Sequence, residues 1–260
     1  MLPSFNLLTG VSASALMSRG GGGSGDPYWS NVVLLCSFDS SNEAVDADFL
    51  TDKSSRKQTL SLQTGSGHIR PSTDSRFGTT AITSSAVTTS GGVLVSGDAE
   101  DFNFGDQPFT IEFWAKRYNL SSANRVFLAV APNTSSRSFL VGSTSNDMRF
   151  YLSTNGTSWA VTLIDPENIP TDWTHYAIDR DNTGKVRLYR NGVMVASATP
   201  VGAIWAATPA NPLVLGYSPV QPNIYRNFYP TIVDELRVTK GVARYASDAG
   251  FTPPTEPYPS

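Results

Sequence analysis

The chain has 260 residues, with 19 Lys and Arg against 22 Asp and Glu, a formal net charge of -3. Charged residues make up 16% of it, below the roughly 25% of an average globular protein, while 21 Gly and 17 Pro interrupt the chain often. That balance leaves no basic stripe to neutralise nucleic-acid phosphates or an anionic membrane, and the single Cys36 excludes an internal disulfide and a multi-cysteine zinc site.

Residues 1–31 read as an N-terminal arm. Its glycine run, Gly20 to Gly25, has the composition of a flexible linker. The segment lacks the basic start of a signal peptide, and Pro3, Asn6 and Gly10 break its apolar stretch, so it is expected to be retained. Nowhere does the chain offer the ~20 consecutive apolar residues that span a bilayer. Leu7, Leu8, Leu16 and Met17 are too few to form a core, and with Tyr28 and Trp29 they are candidate residues for docking on a partner. The plainer reading is a disordered tail.

Residues 32–240 are dense in strand patterns. Val32 to Phe38 is a continuous apolar run, the pattern of a buried strand. Phe109, Ile111 and Phe113 alternate with Thr110, Glu112 and Trp114, so one face is apolar and the other mixed. A hairpin turns at Asn155-Gly156, Trp173 to Asp181 is another strand, and Lys185 to Ala198 is a hairpin whose Asn191-Gly192 calls for a type I′ turn. Leu213 to Gly216 and Asp234 to Val238 complete roughly a dozen strands without a sustained helical stripe, which predicts an all-β, two-layer antiparallel sandwich. Residues 241–260 form a Pro-rich C-terminal tail, with a turn or two of helix expected near Val242–Ala246.

Five segments in order resemble the laminin-G-like, concanavalin A-like jelly rolls: Val32 to Asp39, Ser75 to Ala81, Phe109 to Trp114, Trp173 to Arg180 and Leu188 to Gly192. The ending, Val233 to Tyr245 followed by Phe251-Thr252-Pro253-Pro254 and Pro257-Tyr258-Pro259, is similar to a subgroup common in bacteriophage virion proteins. The resemblance implies a structural protein displayed on the virion surface as a capsid decoration or a tail or fibre appendage. It would be docked by the arm onto other virion proteins of capsid, neck or tail, homo-oligomeric, with a trimer as the form that suits a projecting appendage, and with weak adhesion to host-surface glycans. A secreted or cell-surface carbohydrate-binding module is the alternative, and a glycoside hydrolase of the same fold is a second.

Hydrolases of this fold set two carboxylates on one strand facing a cleft, whereas Glu112 stands alone between Ile111 and Phe113. Asp179 and Asp181 have the right spacing but run into the Asp181-Asn182-Thr183-Gly184 turn, where local hydrogen bonding is the expectation. No nucleophile elbow occurs, and His68 and His175 are expected to be packed or hydrogen-bonded rather than reactive. The chain is therefore expected not to be an enzyme. By resemblance, Asp39 and Asp234 are candidate calcium ligands, and no other cofactor is expected; as residues alone they read equally as strand-end carboxylates. Trp205, Tyr217, Tyr225, Phe228 and Tyr229 are candidate contacts to a glycan or a neighbouring subunit, or else a lid on the sandwich core.

Overall fold

The computed structural model describes residues 25–85, 91–121, 124–133, 135–206, 212–218, 225–226 and 228–260. Among these the chain forms two antiparallel sheets face to face, an all-β sandwich, with strands numbered β1 to β17 in chain order. The eight-stranded sheet runs β13 (Val193–Ala198), β12 (Val186–Arg190), β11 (Thr174–Arg180), β6 (Phe109–Arg117), β17 (Thr231–Lys240), β4 (Ala81–Ser84) and β3 (Ile69–Ser72). β1 (Val32–Cys36) shares the second edge of β17 with β4. The seven-stranded sheet runs β10 (Val161–Asn168), β9 (Asp147–Leu152), β8 (Phe139–Thr144), β7 (Arg125–Val130), β14 (Leu213–Leu215), β5 (Val93–Ser96) and β2 (Thr59–Leu62). β15 (Tyr217–Ser218) and β16 (Tyr225–Arg226) make a small separate pair.

The period-2 pattern places the core. Phe109, Ile111 and Phe113 of β6 point inward beside Tyr176 and Ile178 of β11. They meet Phe127, Phe139, Val141 and Phe150 from the other sheet in one continuous apolar cluster. Each fully buried Phe or Ile of this kind contributes about 1.5–3 kcal/mol. Strands such as β2 and β3 are too short to print an alternation, which is why reading the sequence yields fewer strands than the fold holds.

The hairpin of β12 and β13 turns on Asn191 and Gly192, both with positive φ (47° and 78°), as a type I′ turn requires. Gly192 is needed for a second reason: a Cβ there would lie 1.8 Å from the Phe251 carbonyl oxygen of the crossing tail. That tail covers the outer face of the eight-stranded sheet. It is not helical over Val242–Ala246, contrary to the expectation from sequence. Its polar backbone groups bond the sheet instead: Thr110 Oγ1 donates to the Val242 carbonyl and accepts the Arg244 N–H, and Asp179 accepts the Ala246 N–H at 2.6 Å.

Covering this face buries charge. Glu112 is 0% exposed and accepts from Arg237 Nε at 2.9 Å and from the Tyr245 hydroxyl. Arg237 also donates to Asp26 at 2.9 Å, and Arg244 grips the same Asp26 with two nitrogens at 3.0 and 2.7 Å. The Arg237 guanidinium lies 3.9 Å from the Tyr258 ring centre, and the Tyr258 hydroxyl meets His175 Nε2 at 3.0 Å. Trp29 packs with Val32, Leu35 and Tyr258, so both ends of the described chain are tied to one sheet.

Two outcomes follow from this network. Arg237→Met leaves Glu112 buried without its main counter-charge, while Asp26 keeps Arg244, and should cost about 3–5 kcal/mol in urea unfolding. The Glu112→Leu, Arg237→Met pair should cost less than that single change, because no lone charge is left behind. Burial raises the Glu112 carboxyl, but Arg237, the hydrogen bond to His175 and then Arg244 outweigh it and hold the group well below the usual carboxylate range. A depressed carboxyl contributes stability that is complete above its unfolded value of about 4.3 and is lost as pH falls further. The unfolding free energy should therefore drop below about pH 4, less steeply in Glu112→Gln.

Candidate functional site

The seven-stranded sheet differs on its outer face. The alternation that sends Val93, Val95, Leu213 and Leu215 into the core turns Leu94 and Val214 outward. Leu94, Val214 and Ala129 are paired directly across β5, β14 and β7 and form one row. Because Ala129 and Ala131 are small, the row ends in a cleft of about 170 Å³, walled by Pro132, Pro212, Tyr217 and Gln63. Gln63 is part of the lining, and its Oε1 is buried without a hydrogen-bond partner among the described residues. An apolar floor, one phenol and one acceptor amide make a shallow recognition site without a carboxylate in its lining.

Farther along the same face, Val126, Ala129, Ala131, Leu140 and Tyr151 cluster under Trp159. The Tyr151 and Trp159 rings are 5.5 Å apart, and the Arg137 guanidinium sits 5.1 Å from the Trp159 ring. Arg149 grips Asp147 with two nitrogens at 2.8 and 2.7 Å.

The four aromatic candidates whose side chains are described do not converge on one site. Tyr217 walls the cleft. Trp205, 38% exposed, lies against the β9–β10 loop, its backbone N–H bonded to the Ser153 carbonyl at 2.8 Å. Phe228 is 1% exposed and stacks on Phe127, a core residue rather than a contact. Tyr229 meets Tyr118 edge to face at 5.6 Å. The side chain of Tyr225 lies outside the described residues, as do Leu7, Leu8, Leu16 and Met17. Of the arm candidates that are described, Trp29 packs within the chain and Tyr28 lies beneath Arg244 at 5.3 Å. Gln63, Leu94, Ala129, Ala131 and Val214 escaped the sequence reading, because small apolar residues on three strands far apart in sequence carry no joint signal.

The carboxylates are engaged by the protein itself. Asp234 accepts the N–H groups of Arg76 at 2.7 Å, Phe77 at 3.1 Å and Glu235 at 2.9 Å, while burial pushes it up to about 8. Asp39 accepts the Thr79 N–H at 2.7 Å and faces Lys53 at 3.3 Å. Both thus anchor the 76–79 loop. Among the described residues, no group of three or more His, Cys, Asp and Glu side chains is placed to hold a metal ion. Asp181 organises its turn by accepting the Thr183 and Lys185 N–H groups. Asp179 does not share that turn role. It lies within β11 beneath the tail, where burial pushes it up to about 6. Cys36 is buried, and burial raises its thiol well above the ordinary value. Glu112 is covered by the tail and fully occupied by Arg237 and Tyr245.

Residues 87–244 match the family model described as the concanavalin A-like lectin/glucanases superfamily. A comparison with curated proteins returns no match. Among solved structures, the binding domain of Paraclostridial Mosquitocidal Protein 1 is similar at 15% identity and TM-score 0.57, over 83% of this chain and 50% of that one. The binding domain of botulinum neurotoxin DC is similar at 14% identity over the same shares. Its TM-score is 0.58 as solved in complex with SialylT and 0.57 with rat synaptotagmin II. The chain spans about half the length of these structures, and the likeness is one of fold.

The Trp205 seat depends on Gly156, whose φ is +78° and whose added Cβ would lie 2.6 Å from the indole. Gly156→Ala should lower stability by more than about 1 kcal/mol and displace Trp205, read as a red shift in tryptophan emission.

Proposed function

The chain belongs to the concanavalin A-like lectin/glucanase superfamily, and from that membership we propose that it is a non-catalytic carbohydrate-binding domain carried on the surface of a virus particle. The cleft on the seven-stranded sheet carries the reading. A sugar presents an apolar C–H face that suits the floor of Ala129, Ala131 and Val214 beside the Tyr217 ring, and hydroxyls that suit the amide of Gln63 in the lining. Uncharged and shallow, such a site binds weakly, and many copies on one particle convert weak binding into avidity. The solved complex of botulinum neurotoxin DC with SialylT supports glycan recognition by a protein that contains this fold.

Binding without hydrolysis fits the placement of the carboxylates. Glycoside hydrolysis needs two carboxyl groups, about 5–5.5 Å apart for retention or 6.5–9.5 Å for inversion, across an open cleft. Here the cleft lining holds none, and Glu112 lies beneath the tail.

The virion setting rests on the likeness of Val233 to Tyr245 to phage surface proteins. Asp26, held by Arg237 and Arg244 on the eight-stranded sheet, supports an attachment arm that leaves the sandwich on that side. The cleft is on the opposite sheet. Attachment through the arm to capsid, neck or tail proteins would therefore turn the cleft outward.

On a glycan array, wild-type protein should bind a restricted set of sugars. Calorimetry on the best of them should show at least tenfold weaker binding, about 1.4 kcal/mol, for Tyr217→Ala and for Gln63→Ala at unchanged thermal stability. Undiminished binding in both variants would rule out the cleft. For the virion setting, full-length protein should add to particles stripped of it while a chain beginning at Gly25 stays in solution; uptake of neither form would leave the glycan-binding domain without its particle.

A further inference from the structure

Arg125 begins β7 and is 1% exposed, yet it has no counter-charge. Its guanidinium donates to the Asn124 carbonyl at 3.1 Å and to the Ser121 hydroxyl, and its Nε has no hydrogen-bond partner among the described residues. The titratable groups around it are the phenols of Tyr229 and Tyr118, which are neutral at ordinary pH, with no carboxylate among them. Nor is the missing acid hidden: all 22 Asp and Glu lie among the described residues, and the segments outside them contain none. A buried guanidinium without an anion is a costly arrangement, and a leucine or methionine would serve the packing better.

The surroundings suit an anion. Tyr118 donates to the Ser84 carbonyl at 3.3 Å, and the neighbouring Thr83 pairs across β3 and β4 with Arg70, which is exposed. Tyr118 is itself 45% exposed, so the cluster extends from the buried guanidinium to the surface. We propose that Arg125, with Arg70, Tyr118 and Tyr229 around it, is a receptor for an oxyanion at the end of the sandwich. The planar guanidinium fork matches two oxygens of a carboxylate or phosphate, which would replace the neutral acceptors Ser121 Oγ and Asn124 O. The site is separate from the sugar cleft. Arg125 and Ala129 are four residues apart on one strand, about 13 Å.

Two sources share this chemistry, the carboxylate of an acidic sugar and free inorganic phosphate. Full-length protein in chloride buffer of constant ionic strength is titrated by calorimetry with glucuronate and, separately, with inorganic phosphate, and its thermal midpoint is followed in parallel. Saturable binding of at least one probe is expected, with a raised midpoint, and at least tenfold weaker binding in Arg70→Gln. Arg125→Met should abolish binding while raising the midpoint of the anion-free protein. Arg125→Lys, which keeps the charge and loses the fork, should also bind at least tenfold more weakly, and it carries the test with Arg70→Gln if the methionine variant does not fold. Glucuronate binding alone identifies an acidic sugar, phosphate binding alone a free ion, and either supports the site. The absence of saturable binding by both probes, or equal affinity in wild type, Arg70→Gln and the folded Arg125 variants, overturns it.

Discussion

The ion network of Glu112, Arg237, Asp26 and Arg244 is the constraint on which the rest of the molecule depends. It crosses the two central strands of the larger sheet, β6 and β17, and reaches both ends of the described chain. Removing four charges from water is unfavourable, so the arrangement holds only because each group finds a partner. Arg237 alone contacts Glu112, Asp26 and the face of Tyr258. The tail cannot lift without exposing Tyr245, Phe251 and Tyr258 and stripping Glu112 of the Tyr245 hydroxyl. Packing and charge therefore stabilise the same state, and the network specifies one path for a tail that has no regular structure of its own.

Sealing one sheet leaves the outer face of the other with its own character. The larger sheet has a polar outer face, and a polar face can be covered only if every charge is matched. On the smaller sheet the outer row is Leu94, Val214 and Ala129, needs no partner for charge, and ends in a cleft because alanine leaves room. Chain anchorage and the cleft thus lie on opposite faces of the sandwich. The anchoring carboxylates Asp39 and Asp234 belong to the same economy, since each satisfies backbone donors of the 76–79 loop.

Arg125 departs from this rule. Elsewhere buried arginines are met by acids: Arg187 by Asp181 and Asp248, Arg237 by Glu112 and Asp26. Sites that serve binding often retain groups that the fold alone would not favour. A lone buried guanidinium beside two phenols has that character.

The sequence by itself determined the architecture. Alternation in Phe109 to Trp114 and in Trp173 to Asp181, with the Asn191-Gly192 turn, specified antiparallel strands, the inward face and one hairpin, because period, turn geometry and burial are local properties of the chain. It also carried the family likeness, in five short segments. What only the tertiary structure decided was everything that depends on distant residues meeting. The tail reads as helix-capable near Val242–Ala246, yet contact with Thr110 and Asp179 takes its backbone groups. Phe228 reads as either a contact or a lid on the core and packs in the core, while Gln63, Ala131 and Tyr217 have no common pattern and become one cleft. Glu112 and Arg237 are 125 residues apart, and no local rule pairs them. Burial of a charge is settled by what lies across from it, and that is known only once the sheets have closed.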